Sequence, residues 1–540
     1  MFRAALLLAA GVAALRPQTL PDFRAQLAEE LTQGLAPGVG ARDANVAAPL
    51  YPEYNLSVPI DHFHNDSIYE PHSDETFNLR YWFDASYYKP GGPVIVLQGG
   101  ETSGANRLPF LQKGIVAQLI KATNGLGVIL EHRYYGTSFP LPDLSIESLR
   151  FLTTDQSVAD MAYFAKNIVF PGLEHLDLTA PNNAYIAYGG SYAGAFVAFL
   201  RKLYPDVYWG AIASSAVTEA IYDYWQYEES PRLFFPADCI SATQKAIDVV
   251  DRILIGHAGT KYVPRLKTLF GLGNLTRLDD FAATVSVSLG SLQQGTNWDP
   301  ALNSTRAGVF CTNVTADSLV YQNSHLEAEL EELLRVAGYG DASAAFKTQM
   351  LNYIGYIRAK AARCNGGQTQ DECFTNYDLD FYRKDDIKQK WRAWPWQYCT
   401  EWGYLVTGSG VPEDQLPIIS RVIDLEYGSA VCKYAFNITT LPDLERINKH
   451  GGFGLSYPRL AFIDGQSDPW RYATPHALGQ PDRPNTVSEP FILIEKGVHH
   501  WDENGLFSNE TTASLPPKAV VDAQQQEAAF VKSWMAEWKR

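Results

Sequence analysis

The chain of 540 residues carries 44 Lys and Arg against 60 Asp and Glu, a net charge of −16, with 46% hydrophobic and 19% charged residues. That balance excludes an intrinsically disordered chain and offers no basic surface for a nucleic-acid groove. The length exceeds one simple core and predicts a large domain carrying an insertion, or two domains.

In chain order, residues 1–15 read as a signal peptide: Met1-Phe2-Arg3 is a short basic start, and Ala4 to Leu15 is an apolar run that Arg16-Pro17 ends. The run is too short to span a bilayer, and no later stretch reads as a membrane helix. Residues 16–50 read as a propeptide or loose arm. Seven Asn-x-Ser/Thr sequons, at Asn55, Asn65, Asn274, Asn303, Asn313, Asn437 and Asn509, also point to export. So does an even set of cysteines, Cys239, Cys311, Cys364, Cys373, Cys399 and Cys432, which favours disulfides in an exported chain. Zinc is disfavoured because no Cys-x-x-Cys pair occurs and histidine is sparse near them. The expected location is extracellular, with a vacuolar or lysosome-like compartment as the alternative.

Residues 51–215 read as the first part of an α/β core. Phe77 to Trp82 alternates like an early strand. Short apolar runs then end in polar or glycine turns: Val94 to Leu97 at Gln98-Gly99-Gly100, Gly127 to Leu130 at Glu131-His132-Arg133, and Ala184 to Tyr188 at Gly189-Gly190-Ser191. Near-continuous apolar strands separated by helices, such as the one expected from about Asp155 to Val169, predict a parallel sheet covered on both faces. Residues 216–440 read as a mainly helical insertion, or cap, with amphipathic segments at Ala242 to Leu254 and Leu326 to Val336. All six cysteines fall within it. Residues 441–540 return to the core, with strands at Leu460 to Ile463 and Phe491 to Ile494. A closing helix follows Pro516-Pro517.

The chemistry concentrates at three strand ends. A strand, then Gly189-Gly190-Ser191-Tyr192-Ala193-Gly194, then an Ala- and Phe-rich helix has the shape of a nucleophile elbow. Its tight turn demands small neighbours and lifts the serine hydroxyl to the sheet edge. A helix N-cap serine is the simpler alternative. In this architecture the order is serine, acid, histidine. The late loops supply Asp464 or Asp468 after one strand and His499 or His500 after the next, and the residues alone leave each pair open. The oxyanion hole needs two N–H groups. Tyr192 should give one, and the early turn the other, from Gly100 with Gly99 as the alternative. Glu101, Glu131 and Trp470 are candidates to bind substrate; the charges of Glu131-His132-Arg133 also read as loop ties. His62-x-His64 resembles a metal pair but reads as structural, and no metal or organic cofactor is expected. Trp391 to Trp396 reads as packing that could partly wall a pocket.

Taken together, several stretches resemble the family of prolyl carboxypeptidase, dipeptidyl peptidase II and the fungal acid prolyl endopeptidases. They are Asp61-His62-Phe63, Glu131 to Gly136, Leu149 to Thr153, Gly189 to Tyr192, Cys399-Thr400-Glu401, Asp468-Pro469-Trp470 and His499-His500-x-Asp502. Tyr222 to Tyr227 is similar to the fungal members in particular. The resemblance implies an α/β-hydrolase core with a helical insertion and hydrolysis of peptides after proline. It selects Asp468 as the acid and His499 as the base, and it partly underlies the pairing Cys239–Cys311, Cys364–Cys373 and Cys399–Cys432, which also closes the shortest loops. Three positions depart from the family pattern: Ala193, Asp464 where Asn is usual, and the loop Gly99-Gly100-Glu101. The expected function is a serine-type carboxypeptidase active in acid, with a peptide substrate. Alternatives are an endopeptidase or dipeptidyl peptidase of the same family, an esterase or lipase, and a non-catalytic binding protein on the same fold.

Overall fold

The computed structural model describes residues 50–364 and 367–539, together with Asp22. The expected signal peptide lies outside the described residues, as does all but Asp22 and Leu50 of the expected arm. Ten strands occur among the described residues: β1 (Tyr54–Pro59), β2 (Thr76–Asp84), β3 (Val94–Gln98), β4 (Leu126–Leu130), β5 (Tyr185–Gly190), β6 (Gly210–Ser214), β7 (Ile221–Asp223), β8 (Gly403–Leu405), β9 (Leu460–Gly465) and β10 (Phe491–Ile494). Eight of them form one sheet in the order β1-β2-β4-β3-β5-β6-β9-β10. β2 runs antiparallel to β1 and β4. From β4 to β10 every neighbour is parallel.

The apolar runs become central strands because both faces of the sheet are covered. Every residue of β3, β4, β6 and β9 is buried. Alternate side chains serve opposite faces, as the period of two requires. Val94, Val96, Tyr185 and Ala187 pack with the helices Thr154–Asn167 and Tyr192–Leu203. Ile95, Leu97, Ile186 and Tyr188 pack with Ile115–Thr123 and Lys518–Glu537 on the other side.

The segment between β6 and β9 is mostly helical, and it has two parts. Helices including Ala237–Leu254 and Ala344–Ala361 enclose a hydrophobic core of their own. By contrast, Phe381 to Leu405 and Val431 to Phe436 join the core cluster of the sheet, so this stretch is seated on the sheet domain. Three disulfides brace the insertion, Cys239–Cys311, Cys364–Cys373 and Cys399–Cys432. The short pair β7–β8 ties its beginning to its later part, Ile221 opposite Gly403.

Candidate active site

The elbow sits where β5 meets its helix. Ser191 has φ 64° and ψ −125°, a conformation costly for a residue with a Cβ. Its N–H donates to the carbonyl of Ser214 at the end of β6, 2.8 Å away. The local glycines explain the departure at position 193. A Cβ on Gly189 would lie 2.2 Å from the Ala193 carbonyl oxygen, and one on Gly194 would lie 2.7 Å from the Ser214 carbonyl oxygen. The close approach thus falls at 194, and Ala193 is accommodated.

Three side chains from three strand ends converge here. Ser191 Oγ is 2.6 Å from His499 Nε2, and His499 Nδ1 is 2.8 Å from Asp468 Oδ2. Ser191 is 3%, His499 5% and Asp468 0% exposed. Burial alone would raise the Asp468 carboxyl, but the facing His499 and hydrogen bonds from His499, Trp470 N–H and the Ser215 hydroxyl hold it below its ordinary value. The rival residues are engaged elsewhere. Asp464 Oδ2 pairs with His476 Nδ1 at 2.6 Å, and its other oxygen accepts from Ala216 N–H. His500 has φ 35° and turns its Nδ1 to Glu503, 2.9 Å away.

The residues expected at the oxyanion hole differ in state. Tyr192 opens its helix, so its N–H has no intrahelical acceptor. The Gly100 N–H donates to the Gln98 side chain, and the Gly99 N–H is spent on the Leu130 carbonyl at 2.8 Å. Glu101 follows directly. Burial pushes its carboxyl up, against the opposing charge of Arg107.

Glu131, a substrate-binding candidate that also read as a loop tie, has contacts that fit the second reading. It is 1% exposed, and its two oxygens are saturated by Arg80, by Gly104, Thr137 and Ser138 N–H groups and by the Ser103 and Ser138 hydroxyls. Arg133 likewise grips Asp160 through two bonds of 2.6 Å, which His62 joins at 2.8 Å. These charges tie loops together. His64, not His62, lies with Asp61 and His72 in a group close enough to share an ion. Asp61 is already satisfied there by His72, Gln156 and the Phe63 N–H.

Trp470, two residues beyond Asp468, is fully enclosed. Tyr224 stacks on it at 5.2 Å, and Tyr227 and Tyr404 meet it edge-on at 5.1 and 5.2 Å. The fungal-like Tyr222 to Tyr227 stretch thereby contributes two walls of an aromatic cluster next to the Asp468 loop. Gln294 ties the cluster to the insertion, accepting from Trp470 Nε1 at 3.1 Å and from the Tyr227 hydroxyl at 2.6 Å. Sequence reasoning gave no role to Gln98 or Gln294, because Gln98 meets its partner through a local amide and Gln294 through partners distant in the chain. Among the sequons, Asn55, Asn65, Asn274, Asn303, Asn437 and Asn509 are exposed, whereas Asn313 is half-buried and donates to the Tyr321 hydroxyl at 3.2 Å.

A mostly parallel sheet, an elbow serine after a central strand and a Ser–His–Asp chain across the following strand ends define an α/β-hydrolase. The chain belongs to the peptidase family described as serine carboxypeptidase S28, whose pattern matches residues 59–516. It is 52% identical to a "probable extracellular serine carboxypeptidase" of Arthroderma benhamiae, over 98% of this chain and 73% of the relative. It is 31% identical to the serine protease vicPa of Bipolaris victoriae, over 79% of this chain and 80% of that protein. The human thymus-specific serine protease is 26% identical, over 79% of this chain and 78% of its own length.

Proposed function

We propose that this serine peptidase is exported and removes the C-terminal residue of peptides after proline, with Ser191, His499 and Asp468 as its catalytic groups. The observation that carries the reading is the continuous, buried chain from Ser191 Oγ through His499 to Asp468, at 2.6 and 2.8 Å. His499 Nε2 takes the hydroxyl proton as Ser191 attacks the carbonyl, then gives it to the leaving amine. Asp468 holds Nδ1–H and stabilises the imidazolium. Water then repeats the sequence on the acyl-enzyme. The Tyr192 N–H and the Gly100 N–H, once Gln98 releases it, stabilise the oxyanion.

The carboxypeptidase mode rests on access and on the end group. A centre only a few per cent exposed favours a chain end over a long loop. Burial raises the Glu101 carboxyl and so favours its protonated form, which can donate to a terminal carboxylate, with the Arg107 charge acting in the same region. The buried cluster of Trp470, Tyr224 and Tyr227 braces the Asp468 loop; the preference for proline rests on the family resemblance. Export is supported by the extracellular relative, by three disulfides and by six exposed sequons. None of the helices among the described residues is long and apolar enough to cross a membrane.

A peptide with a single proline tests the mode. It is offered with free ends, with an amidated C-terminus and with an acetylated N-terminus, and products are read by mass. Loss of cleavage on amidation alone is expected. Loss on acetylation alone makes the protein a dipeptidyl peptidase, and cutting of a long peptide blocked at both ends makes it an endopeptidase.

A further inference from the structure

The Tyr192 hydroxyl is anchored by hydrogen bonds with His132, Gln397 and Thr154. His132 Nδ1 lies 2.7 Å from the Arg133 carbonyl oxygen, which only accepts, so Nδ1 carries the proton and Nε2 is an acceptor. The Tyr192 hydroxyl, 3.0 Å from that Nε2, therefore donates to it. Gln397 Nε2 donates to the Tyr192 oxygen at 2.7 Å, and Gln397 Oε1 accepts from the Tyr135 hydroxyl at 2.5 Å. Every member is buried. Burial pushes the His132 imidazole down to about 4, so it stays neutral well into acid. Burial, then the Glu401 and Glu101 charges, push the Tyr192 phenol well up, so it remains a donor.

The chain of bonds joins three parts of the fold. His132 and Tyr135 come from the loop after β4, Tyr192 from the elbow helix, and Gln397 from the insertion, two residues before Cys399. Trp394 and Trp402, also from the insertion, pack against the Tyr192 ring at 5.7 and 5.3 Å. The strained Ser191–Tyr192 peptide is thus pinned on both sides, by Ser191 N–H on Ser214 and by the Tyr192 phenol.

We infer that His132, Tyr135 and Gln397 are positioning residues that hold the Tyr192 phenol, and through it aim the Tyr192 N–H at the oxyanion. A paired amide in the insertion is thereby part of the catalytic apparatus of the core. The inference rests on the proposed role of the Tyr192 N–H. Preorganised donors matter in the transition state more than in the ground state, so loosening one lowers kcat rather than raising KM.

Tyr192→Phe and Gln397→Leu test this, with Gln397→Glu as the conservative partner. Each is measured for kcat and KM on a peptide, for the rate of Ser191 phosphonylation by a fluorophosphonate, and for Tm. Tyr192→Phe and Gln397→Leu are expected to lose about tenfold in kcat, a modest share of what deleting an oxyanion donor costs. KM should stay within twofold, and phosphonylation should slow in proportion. The carboxyl of Gln397→Glu can both donate and accept only while protonated. Burial at this position favours the protonated form, so the variant should recover in acid the turnover that Gln397→Leu lacks and lose it as pH rises. The inference is overturned if kcat and phosphonylation stay within twofold of the parent, if only KM or only Tm changes, or if Gln397→Glu follows Gln397→Leu at every pH. Failure of the parent protein to be phosphonylated at Ser191 refutes the proposed function itself, a separate result.

Discussion

Asp502 lies directly behind the elbow, and replacing it by Asn should change how stability responds to pH. Its oxygens accept from the Tyr188 hydroxyl of β5 and the Ser214 hydroxyl of β6, both at 2.6 Å, and it is 1% exposed. Burial raises its carboxyl from 3.8 to about 6, against those two hydrogen bonds and with a further push from Glu503. The folded state therefore holds this proton more tightly than the unfolded chain. The associated stability is complete below pH 3.8 and is lost as pH rises to about 6. The difference between 3.8 and about 6 corresponds to about 3 kcal/mol. For a chain of 540 residues unfolding as one unit, that is about 3 °C in Tm. Asp251 and Asp280 are raised to about 6 by burial as well, while His132 and His450 are pushed down to about 4 and lose stability on acidification below 6.5. The opposing sets partly cancel in the parent, so the informative quantity is the difference between parent and Asp502→Asn. The amide keeps one acceptor, and the other hydroxyl can turn to accept from its NH2. Denaturant unfolding at steps from pH 3.5 to 7 should show the parent losing about 3 kcal/mol relative to the variant across that window. Parallel curves would refute the reasoning.

The other predictions concern the site and the export features. Asp468→Asn should lower kcat by about 10⁴ while leaving Tm nearly intact, because an amide facing Nδ1 favours the wrong tautomer; steady-state kinetics with a melting curve separates the two. Mapping peptides without reduction should find the pairs of Cys239 with Cys311, Cys364 with Cys373 and Cys399 with Cys432. A free thiol at any of the six counts against them. Glycopeptide analysis of protein secreted by a eukaryotic host should find glycan on exposed sequons such as Asn55 and Asn509 and none on Asn313, whose amide is engaged inside the fold. Full occupancy at Asn313 would contradict the placement.

The strands most legible in the sequence were those that are continuously apolar. Val94 to Leu97 and Phe491 to Ile494 appear where their β-branched and aromatic runs place them, and the helix Thr154–Asn167 starts within a residue of expectation. β6 was not singled out because Gly-Ala-Ile-Ala-Ser has small side chains; its burial comes from β5 and β9 on either side, and β9 lies some 250 residues away. β7 and β8 were missed because three-residue strands exist only through pairing with each other. The choice between Asp464 and Asp468, and between His499 and His500, could not be made from strand ends alone, since both members of each pair stand at the right edge. The resemblance favoured Asp468 and His499, and the geometry shows why they differ from their rivals. Asp464 has His476, and His500 turns through a positive φ toward Glu503. For Glu131 the sequence left both a substrate role and a loop tie open, because its seven donor contacts arrive from residues spread between Arg80 and Ser138.

Titration with a fluorophosphonate, followed by peptide mapping, addresses the central claim most directly. Activity on a proline-containing peptide should fall in proportion to one adduct per chain, that adduct should lie on Ser191, and Ser191→Ala should take up none and lose turnover by about 10⁴ or more. An adduct on another residue, or peptide hydrolysis that persists in a folded Ser191→Ala protein, would contradict the account.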